Sequence, residues 1–214
     1  MMKGARFDLD GTILDSMPIW DTVAEDYLRS LGKEPRENLK ETFKTFTLEQ
    51  SAAYFQTHYG VTLSVEELVD GVNRMVENCY LHTVPLKPGV AAFLKDLQMN
   101  GVKMCVATVT GKHLADAALK RLGVRDYFLE IFSCAEVGHG KEEPHIYRKA
   151  LARLGTEKAE TVVFEDAYHA LKTAKTDGFF TAAVYDIHEE RQAEIKALAD
   201  YTLADFTGCS FQNF

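Results

Sequence analysis

The sequence predicts an α/β fold, in which a doubly wound parallel sheet is interrupted after its first strand by an inserted, all-helical cap domain. Three observations support this fold class. Residues 83–214 alternate between short apolar segments and amphipathic helical segments, which is typical of parallel strands joined by helices. Residues 3–7 form a further predicted strand, which must join that sheet to be buried, and residues 17–82 carry only helical patterns. We therefore expect a catalytic core of residues 1–16 and 83–214 and a cap of residues 17–82.

The cap helices are predicted from their start and stop signals. Pro18 lies in the first turn of the first helix, and Gly32 follows its end. Ser64, with Glu67 three residues later, forms a capping-box sequence at the start of the last helix. The predicted cap helices cover residues 18–31, 47–59 and 64–82. A block with only two connections to the core is expected to move as a lid during the catalytic cycle.

The core elements are predicted from apolar runs, which indicate strands, and from glycines that follow amphipathic segments and end helices. Gly123, Gly155 and Gly178 each follow a predicted helix. The predicted strands cover residues 3–7, 102–107, 130–133, 161–164, 180–184 and 201–203. The predicted helices cover residues 112–122, 144–154, 167–176 and 189–199.

Acidic, hydroxyl and ammonium side chains follow four of these predicted strands. Open parallel sheets bind their ligands beyond the carboxyl ends of the strands, so residues that follow different strands can meet at one edge. The residues in question are, in chain order, Asp8, Asp10, Thr108, Lys141, Glu165 and Asp166. This convergence of two carboxylate pairs with a hydroxyl and an ammonium group indicates a catalytic site.

The segment Asp8-Leu9-Asp10-Gly11-Thr12 combines the groups that phosphoryl transfer requires. Asp8 can attack phosphorus and form an aspartyl-phosphate intermediate. Asp10 can protonate the leaving oxygen and later accept a proton from water. Gly11 lets the backbone turn without a Cβ, and the Thr12 hydroxyl helps to hold that turn.

A carboxylate that attacks a phosphate monoester needs a cation to offset the negative charge of both groups. Mg²⁺ is a hard cation that prefers oxygen ligands. Asp8 and Asp166 are the expected side-chain ligands, the Asp10 backbone carbonyl is a further one, and Glu165 can bind the metal directly or through water. Such an ion would bridge Asp8 and a phosphate oxygen.

The remaining phosphate oxygens need donors, and the sequence offers three. Lys141 is expected to neutralise Asp8 and a phosphate oxygen, while the Thr108 hydroxyl and the Val109 amide bind the others near a helix start. Each candidate also has a structural alternative. The Asp-x-Asp segment could be only a turn, Thr108 and Asp166 could cap helices, and Lys141 could be a surface lysine.

The composition narrows the possible partners. The net charge of −8 argues against a nucleic-acid-binding or anionic-membrane surface, although it allows a small phosphorylated substrate in a locally positive pocket. The four cysteines show no metal-binding or disulfide spacing, which indicates reduced thiols in a cytoplasmic protein. No segment is apolar for long enough to span a membrane, and the protein is expected to act as a monomer.

Taken together, these segments resemble the haloacid dehalogenase-like (HAD) hydrolase superfamily, specifically the branch near β-phosphoglucomutase with a helical cap. Residues 8–12, Thr108, residues 140–144 and residues 165–166 match the four motifs of that family in order. The resemblance implies a Rossmann-like core, a nucleophile at the first aspartate, an acid/base at the second and Mg²⁺ as cofactor. It covers essentially the whole chain.

The chain departs from the family pattern at four positions. Glu142 replaces a common proline of the third motif, and Ala170 replaces a common glycine after the fourth. The mutase branch is expected to carry a cap arginine near residues 47–49 and a histidine near position 20, where this chain has Leu48 and Trp20.

The two cap departures, Leu48 and Trp20, favour a phosphatase over a phosphosugar mutase, which must hold a second phosphate through cap cations. The architecture also supports dehalogenase and phosphonatase chemistry. A dehalogenase would not need a complete set of acidic metal ligands, so the presence of that set argues against dehalogenase activity. A non-catalytic protein that binds a phosphorylated metabolite is the alternative from a different class.

Overall fold

The structure is a computed structural model and describes residues 1–37, 39–43 and 46–214. The strands are β1 (Gly4–Phe7), β2 (Lys103–Thr108), β3 (Phe128–Ser133), β4 (Thr161–Glu165), β5 (Phe180–Val184) and β6 (Tyr201–Leu203). The helices are α1 (Pro18–Ser30), α2 (Leu39–Phe43), α3 (Leu48–Tyr59), α4 (Val65–His82), α5 (Val90–Met99), α6 (Lys112–Arg121), α7 (Cys134–Val137), α8 (His145–Leu154), α9 (Tyr168–Thr176) and α10 (Gln192–Leu198). None of the helices in these residues is both long and apolar enough to cross a bilayer.

Within the described residues, six strands form one parallel sheet in the order β3-β2-β1-β4-β5-β6. The first strand therefore lies at the centre, between β2 and β4. The strand order reverses beside β1, which is the position where open α/β sheets bind ligands. The predicted fold class, including the burial of the first strand in the sheet, is confirmed.

An aromatic cluster fills one face of the sheet. Phe7 and Phe164 are in register on neighbouring strands, and their rings stack with centroids 4.5 Å apart. Phe93 of α5 packs edge-on against both rings, at 6.3 and 5.5 Å. The packing of these buried rings fixes the position of β1 along β4, and hence the relative positions of the carboxyl ends of the two strands.

Helix α8 covers the opposite face of the sheet. Its residues Ile146, Tyr147 and Leu154 are buried against Cys105 of β2 and Val163 of β4. The apolar residues of α8 recur every three or four positions, which gives the helix one face for the sheet and leaves the other polar. This packing places the beginning of α8 near the carboxyl ends of the strands.

The described residues divide into two compact units, Met1–Ser16 with Val84–Phe214, and Met17–Thr83. The second unit contains α1 to α4 and has a core of its own. In it, Tyr27 of α1 is buried against Gly71 of α4, where a Cβ would lie 1.8 Å from the tyrosine hydroxyl oxygen. Gly71 is therefore needed for the close approach of these two helices.

Two predicted elements begin two or more residues away from their predicted first residue, whereas the other predicted bounds agree with the structure to within one residue. Strand β3 begins at Phe128 rather than at residue 130, because Phe128 already pairs with Met104. Helix α10 begins at Gln192 rather than at residue 189. The Glu189 carboxylate instead accepts hydrogen bonds from the backbone N–H groups of Arg191, at 2.8 Å, and of Tyr168, at 3.0 Å.

The sequence analysis misses helix α5 altogether. The sequence Pro88-Gly89 is interpreted as a break, but Gly89, at φ 80°, is the N-cap residue directly before the first residue of the helix, Val90. A Cβ on Gly89 would lie 2.2 Å from the Phe206 carbonyl carbon, so this glycine also permits a close backbone approach. Val90, Phe93 and Leu97 then recur at helical spacing and are buried.

Candidate active site

Asp8, the first predicted site residue, directly follows the central strand β1. Its backbone N–H donates to the Phe164 carbonyl oxygen at 2.9 Å, which extends the ladder between β1 and β4. Because side chains alternate along a strand, Asp8 lies on the same face as Arg6. Glu165 follows Val163 by two residues on β4 and lies on that face as well, so the strand geometry brings Asp8 and Glu165 together.

Lys141 joins these two carboxylates. Its ammonium group donates to Asp8 Oδ1 and to the two oxygens of Glu165, at 3.0 and 3.1 Å. All three side chains are buried, with Glu165 wholly inaccessible and Lys141 4% exposed. A lysine buried to this extent is a component of the site rather than a surface residue, because a buried ammonium needs ionic partners.

Arg6 supports this group from within the core. Its Nη1 donates to Glu165 Oε2 at 2.5 Å, and its Nη2 donates to the Ala107 carbonyl at 2.8 Å. The guanidinium carbon lies 4.4 Å from the centre of the Tyr147 ring, which provides an attractive cation–π contact. Arg6 is 1% exposed. Glu165 is therefore held between two cations, one of which also reaches Asp8.

Asp166 is held by the turn that follows Asp8. The Thr12 hydroxyl donates to Asp166 Oδ1 at 3.0 Å. Gly11 adopts φ 76°, and a Cβ there would lie 2.2 Å from Asp166 Oδ2. Gly11 therefore serves two purposes, since it allows the left-handed backbone and leaves room for the Asp166 carboxylate.

Asp10 belongs to a second group of polar side chains. Its Oδ1 accepts a hydrogen bond from Ser16 Oγ at 2.7 Å, and its Oδ2 accepts one from Thr110 Oγ1 at 2.6 Å. Thr108 Oγ1 lies 3.4 Å from the same Oδ2. These hydroxyl groups orient a carboxyl group that is only partly buried and so remains open to water or a ligand.

Thr108 is the last residue of β2, and Val109 follows it in the loop before α6. Thr108 is buried at the end of the strand, and its Oγ1 accepts a hydrogen bond from the Thr110 N–H at 3.0 Å. The Val109 side chain is exposed, so its predicted contribution is its backbone amide. Helix α6 begins two residues after Thr110, at Lys112, and its amino-terminal end favours anions nearby.

The buried charges around Asp8 do not balance. Arg6 and Lys141 supply two positive charges, whereas Asp8, Glu165 and Asp166 supply three carboxylates. Burial would lower the pKa of Lys141, but Asp8 and Glu165 outweigh it and raise that pKa, so the lysine stays charged. Burial and then the charges of Asp8 and Glu165 raise the pKa of Asp166 well above its ordinary range.

The excess of carboxylates suits a divalent cation. The carboxylates of Asp8, Glu165 and Asp166 each offer an oxygen within 4.8 Å of the others, and all three residues are buried. Among the described ion pairs, none neutralises Asp166. An all-oxygen, acidic donor set is the kind that Mg²⁺ prefers, so these residues fit the metal that the sequence predicts.

The sequence analysis missed Arg6, Ser16 and Thr110. A signal for Arg6 is present, since a charged residue in the central strand of a parallel sheet must find a buried partner. No comparable signal marks Ser16 or Thr110, because exposed loops commonly contain hydroxyl residues. The contacts of these two residues with Asp10 depend on how the two loops are brought together.

A sequence profile of the haloacid dehalogenase-like hydrolases matches residues 6–184, which is most of the chain. The chain belongs to this family. The matched region contains every predicted site residue from Asp8 to Asp166, and it confirms the resemblance drawn from the four motifs. The haloacid dehalogenase-like fold also agrees with the observed sheet.

Two relatives and one solved structure show the breadth of this similarity. The phosphorylated carbohydrates phosphatase of Thermotoga maritima is 26% identical over 177 residues, which cover 83% of this chain and 82% of that protein. The β-phosphoglucomutase of Bacillus subtilis is 28% identical over 191 residues, which cover 86% and 83%. A crystal structure of a candidate β-phosphoglucomutase from Thermotoga maritima has a TM-score of 0.84 at 25% identity and covers 94% of each chain. Because these relatives include both a phosphatase and a mutase, membership of the haloacid dehalogenase-like family does not by itself decide between the two activities.

Proposed function

We propose that this protein is a magnesium-dependent phosphatase that hydrolyses a small phosphate monoester through an aspartyl-phosphate intermediate on Asp8. The observation that carries the proposal is the buried contact of Lys141 with Asp8 and Glu165 beside Asp166. This arrangement places the ammonium group of Lys141 beside the carboxylate of Asp8. A cation at that position offsets the repulsion between an attacking carboxylate and a phosphate dianion.

In the first step, a carboxylate oxygen of Asp8 attacks phosphorus, and the bond between phosphorus and the ester oxygen breaks. Asp10 gives its proton to the departing oxygen, so that the product leaves as an alcohol. Ser16 and Thr110 hold the Asp10 carboxyl group in place through bonds of 2.7 and 2.6 Å. The phosphoryl group is then bound covalently to Asp8.

In the second step, water attacks the phosphorus of the aspartyl-phosphate and gives a proton to Asp10. The bond between phosphorus and the Asp8 oxygen breaks, which releases inorganic phosphate and restores the Asp8 carboxylate. Asp10 is again protonated and ready for the next substrate. One residue thus serves as acid and then as base, which requires a carboxyl group reachable by both the leaving oxygen and water.

Three groups are proposed to bind the phosphate oxygens. Lys141 provides a positive charge, the Thr108 hydroxyl provides a donor, and the Val109 amide provides another near the start of α6. Lys141 is already fixed by Asp8 and Glu165, so little reorganisation is needed when the substrate arrives.

Mg²⁺ is proposed to bind to Asp8, to Asp166 and to the backbone carbonyl of Asp10. Glu165 borders this set, but its oxygens accept hydrogen bonds from Arg6 and Lys141, which favours a contact through a metal-bound water. When bound, the ion would offset the charge of Asp8 and of a phosphate oxygen. Thr12 and Gly11 hold Asp166 in the position that this requires.

We further propose that the unit Met17–Thr83 selects the substrate, which is a small phosphorylated metabolite rather than a nucleic acid or a lipid surface. The names of the phosphatase and mutase relatives support a phosphorylated sugar or a similar compound. We also propose that the protein acts as a monomer. The four free cysteines support a location in the reducing cytoplasm.

A screen of phosphorylated metabolites, with p-nitrophenyl phosphate as a general probe, tests this function. We expect phosphate release with Mg²⁺, a loss of at least about 100-fold with excess EDTA, and full recovery when Mg²⁺ is restored. Asp166→Asn should raise the Mg²⁺ concentration needed for half-maximal rate by at least about tenfold. The exposed Asp126→Asn should leave that concentration unchanged. Hydrolysis that is unaffected by EDTA would contradict the proposal.

A second prediction separates the phosphatase from a mutase. Leu48 and Trp20 stand where a phosphoglucomutase is expected to carry cap cations, and Trp20 is 48% exposed. We expect β-glucose 1-phosphate, supplied with its bisphosphate activator, to yield mainly inorganic phosphate. The products can be separated by ³¹P nuclear magnetic resonance. Efficient formation of glucose 6-phosphate would instead establish the mutase.

A further inference from the structure

Tyr147 of α8 is a buried tyrosine that contacts three separate parts of the core. It is 1% exposed. Its ring lies against the Arg6 guanidinium, whose central carbon is 4.4 Å from the ring centre. Its hydroxyl donates to the Ala170 carbonyl oxygen at 2.9 Å and lies 3.4 Å from the Lys141 carbonyl oxygen. One side chain thus joins β1, the loop before α8 and the first turn of α9.

The Arg6 guanidinium needs the support of this ring because its hydrogen bonds engage only two of its three nitrogens. Nη1 donates to Glu165 and Nη2 donates to the Ala107 carbonyl. Nε has no hydrogen-bond partner, and it is the one buried side-chain nitrogen or oxygen in the described residues of which this is true. Two bonds at the Nη atoms leave the group able to tilt about the line that joins them. The ring of Tyr147 covers one face of the guanidinium, attracts its charge and opposes that tilt.

We propose that Tyr147 is a positioning residue for the phosphatase reaction, an inference that rests on the function proposed above. By restraining Arg6, the ring fixes Glu165, whose two oxygens accept hydrogen bonds from Lys141 at 3.0 and 3.1 Å. The ammonium group is thereby held beside the Asp8 carboxylate. A small displacement of this ammonium group would weaken the stabilisation of the charge that develops as Asp8 attacks phosphorus.

A role in core packing alone accounts for the ring of Tyr147 but not for its hydroxyl. An apolar residue would fill the same space without placing a hydroxyl in the core, which costs free energy unless the hydroxyl is hydrogen-bonded. Burial raises the pKa of Tyr147, so the hydroxyl keeps its proton and remains a donor. Its hydrogen bond to Ala170 fixes the long axis of the ring, and hence the ring face that Arg6 meets.

Two substitutions separate the hydroxyl from the ring. At saturating Mg²⁺, we expect kcat for p-nitrophenyl phosphate to fall about threefold in Tyr147→Phe, which loses one hydrogen bond. In Tyr147→Leu, which loses the ring, we expect a fall of at least about 30-fold. KM should change by less than about twofold in both, since the lost support acts on the transition state. Tyr201→Phe alters a tyrosine of β6 outside the site and should retain wild-type kcat.

Coupling between Tyr147 and Glu165 is the readout that a merely structural residue would not change. Glutamine at position 165 has a single carboxamide oxygen, which cannot serve Arg6 and Lys141 as the two carboxylate oxygens do. In the Glu165→Gln background, Tyr147→Leu should therefore lower kcat by less than about threefold. An equal loss in both backgrounds would overturn the proposal, as would wild-type kcat in Tyr147→Leu.

A further variant keeps the test decisive if Tyr147→Leu does not fold, which denaturant titration would show. Replacement of Tyr147 by 3,4,5-trifluorophenylalanine nearly preserves the size of phenylalanine but removes the negative charge of the ring face. We expect kcat to be at least about threefold below that of Tyr147→Phe, because the attraction for Arg6 is lost. Equal kcat for these two rings would show that the ring acts through packing alone and would overturn the proposal.

The ammonium signals of the buried lysines in ¹H–¹⁵N spectra separate this inference from the phosphatase proposal, because they need no activity. We expect the Lys141 signal to shift or broaden in the trifluorophenylalanine variant relative to Tyr147→Phe. The signal of Lys87, which is also buried and pairs with Asp186, should stay unchanged. An unchanged Lys141 signal would contradict the positioning role. Absence of phosphate release by the wild-type protein would instead contradict the phosphatase.

Discussion

Asp8→Asn is expected to lower kcat for phosphate release by at least about 10⁴-fold, as the loss of a nucleophile does in other covalent enzymes. The substitution keeps the size and shape of the side chain but removes the negative charge that attacks phosphorus. The amide can still contact Lys141, so the site stays filled. Initial rates with p-nitrophenyl phosphate and saturating Mg²⁺ measure the effect.

The same variant should be as stable as wild type in EDTA, or more stable. The buried group holds two cations and three carboxylates, so the substitution removes the excess negative charge. After burial, the charge of Asp8 is the largest cause of the raised pKa of Asp166, and this repulsion would be relieved. Thermal unfolding in EDTA would show an equal or higher midpoint.

Asp15→Asn is the matched control, because Asp15 lies in the same loop and is exposed. It should retain wild-type activity and stability. Near-normal turnover by Asp8→Asn would exclude Asp8 as the nucleophile. A large loss of stability in that variant would instead show that the activity change reports on folding.

Arg6→Met is expected to be strongly destabilising. Methionine fills much of the space of arginine but leaves the inaccessible Glu165 carboxylate with Lys141 as its remaining cation. Breaking a buried ion pair by removing one partner costs about 3–5 kcal/mol. For a chain of this length, that corresponds to a fall in the unfolding midpoint on the order of 10 °C. Denaturant titration measures the free energy of unfolding.

The double variant Arg6→Met/Glu165→Gln separates charge from packing. It removes the unpaired carboxylate together with its partner, so most of the stability lost in Arg6→Met should return. Activity should stay low, because Lys141 then loses the carboxylate that helps to position it beside Asp8. Recovery of stability without recovery of kcat would assign Arg6 and Glu165 to the positioning of Lys141.

Arg29→Met serves as the control for loss of an arginine. Arg29 forms exposed ion pairs with Glu25 and Asp26 on α1, and such pairs contribute little because water screens them. Its unfolding midpoint should match that of wild type. If Arg6→Met were equally harmless, the buried pair with Glu165 would not be a major source of stability in this core.

The position of the site could be predicted because strand ends are easily recognised. Asp8, Thr108 and Glu165 each follow an apolar run, and the parallel topology brings the carboxyl ends of those runs to one edge. Lys141 was harder to place, since its loop has no regular structure. Its burial beside Asp8 depends on the full tertiary fold rather than on any local pattern.

The rest of the site could not be predicted because it depends on distances between separate segments. Ser16 and Thr110 are polar loop residues by sequence, and only the folded chain places both hydroxyls on Asp10. The pairing of Arg6 with Glu165 requires the register between β1 and β4, which the sequence does not specify. Helix α5 was missed because Gly89 was read as a break and not as a helix start.

The stereochemical course at phosphorus tests the central claim most directly. Hydrolysis in ¹⁷O-labelled water of a thiophosphate ester that is chiral through ¹⁶O and ¹⁸O shows whether phosphorus is displaced once or twice, because each in-line displacement inverts its configuration. A route through a covalent intermediate on Asp8 involves two displacements, so we predict overall retention of configuration in the released thiophosphate. Overall inversion would show that water attacks the substrate directly and would contradict the covalent role of Asp8.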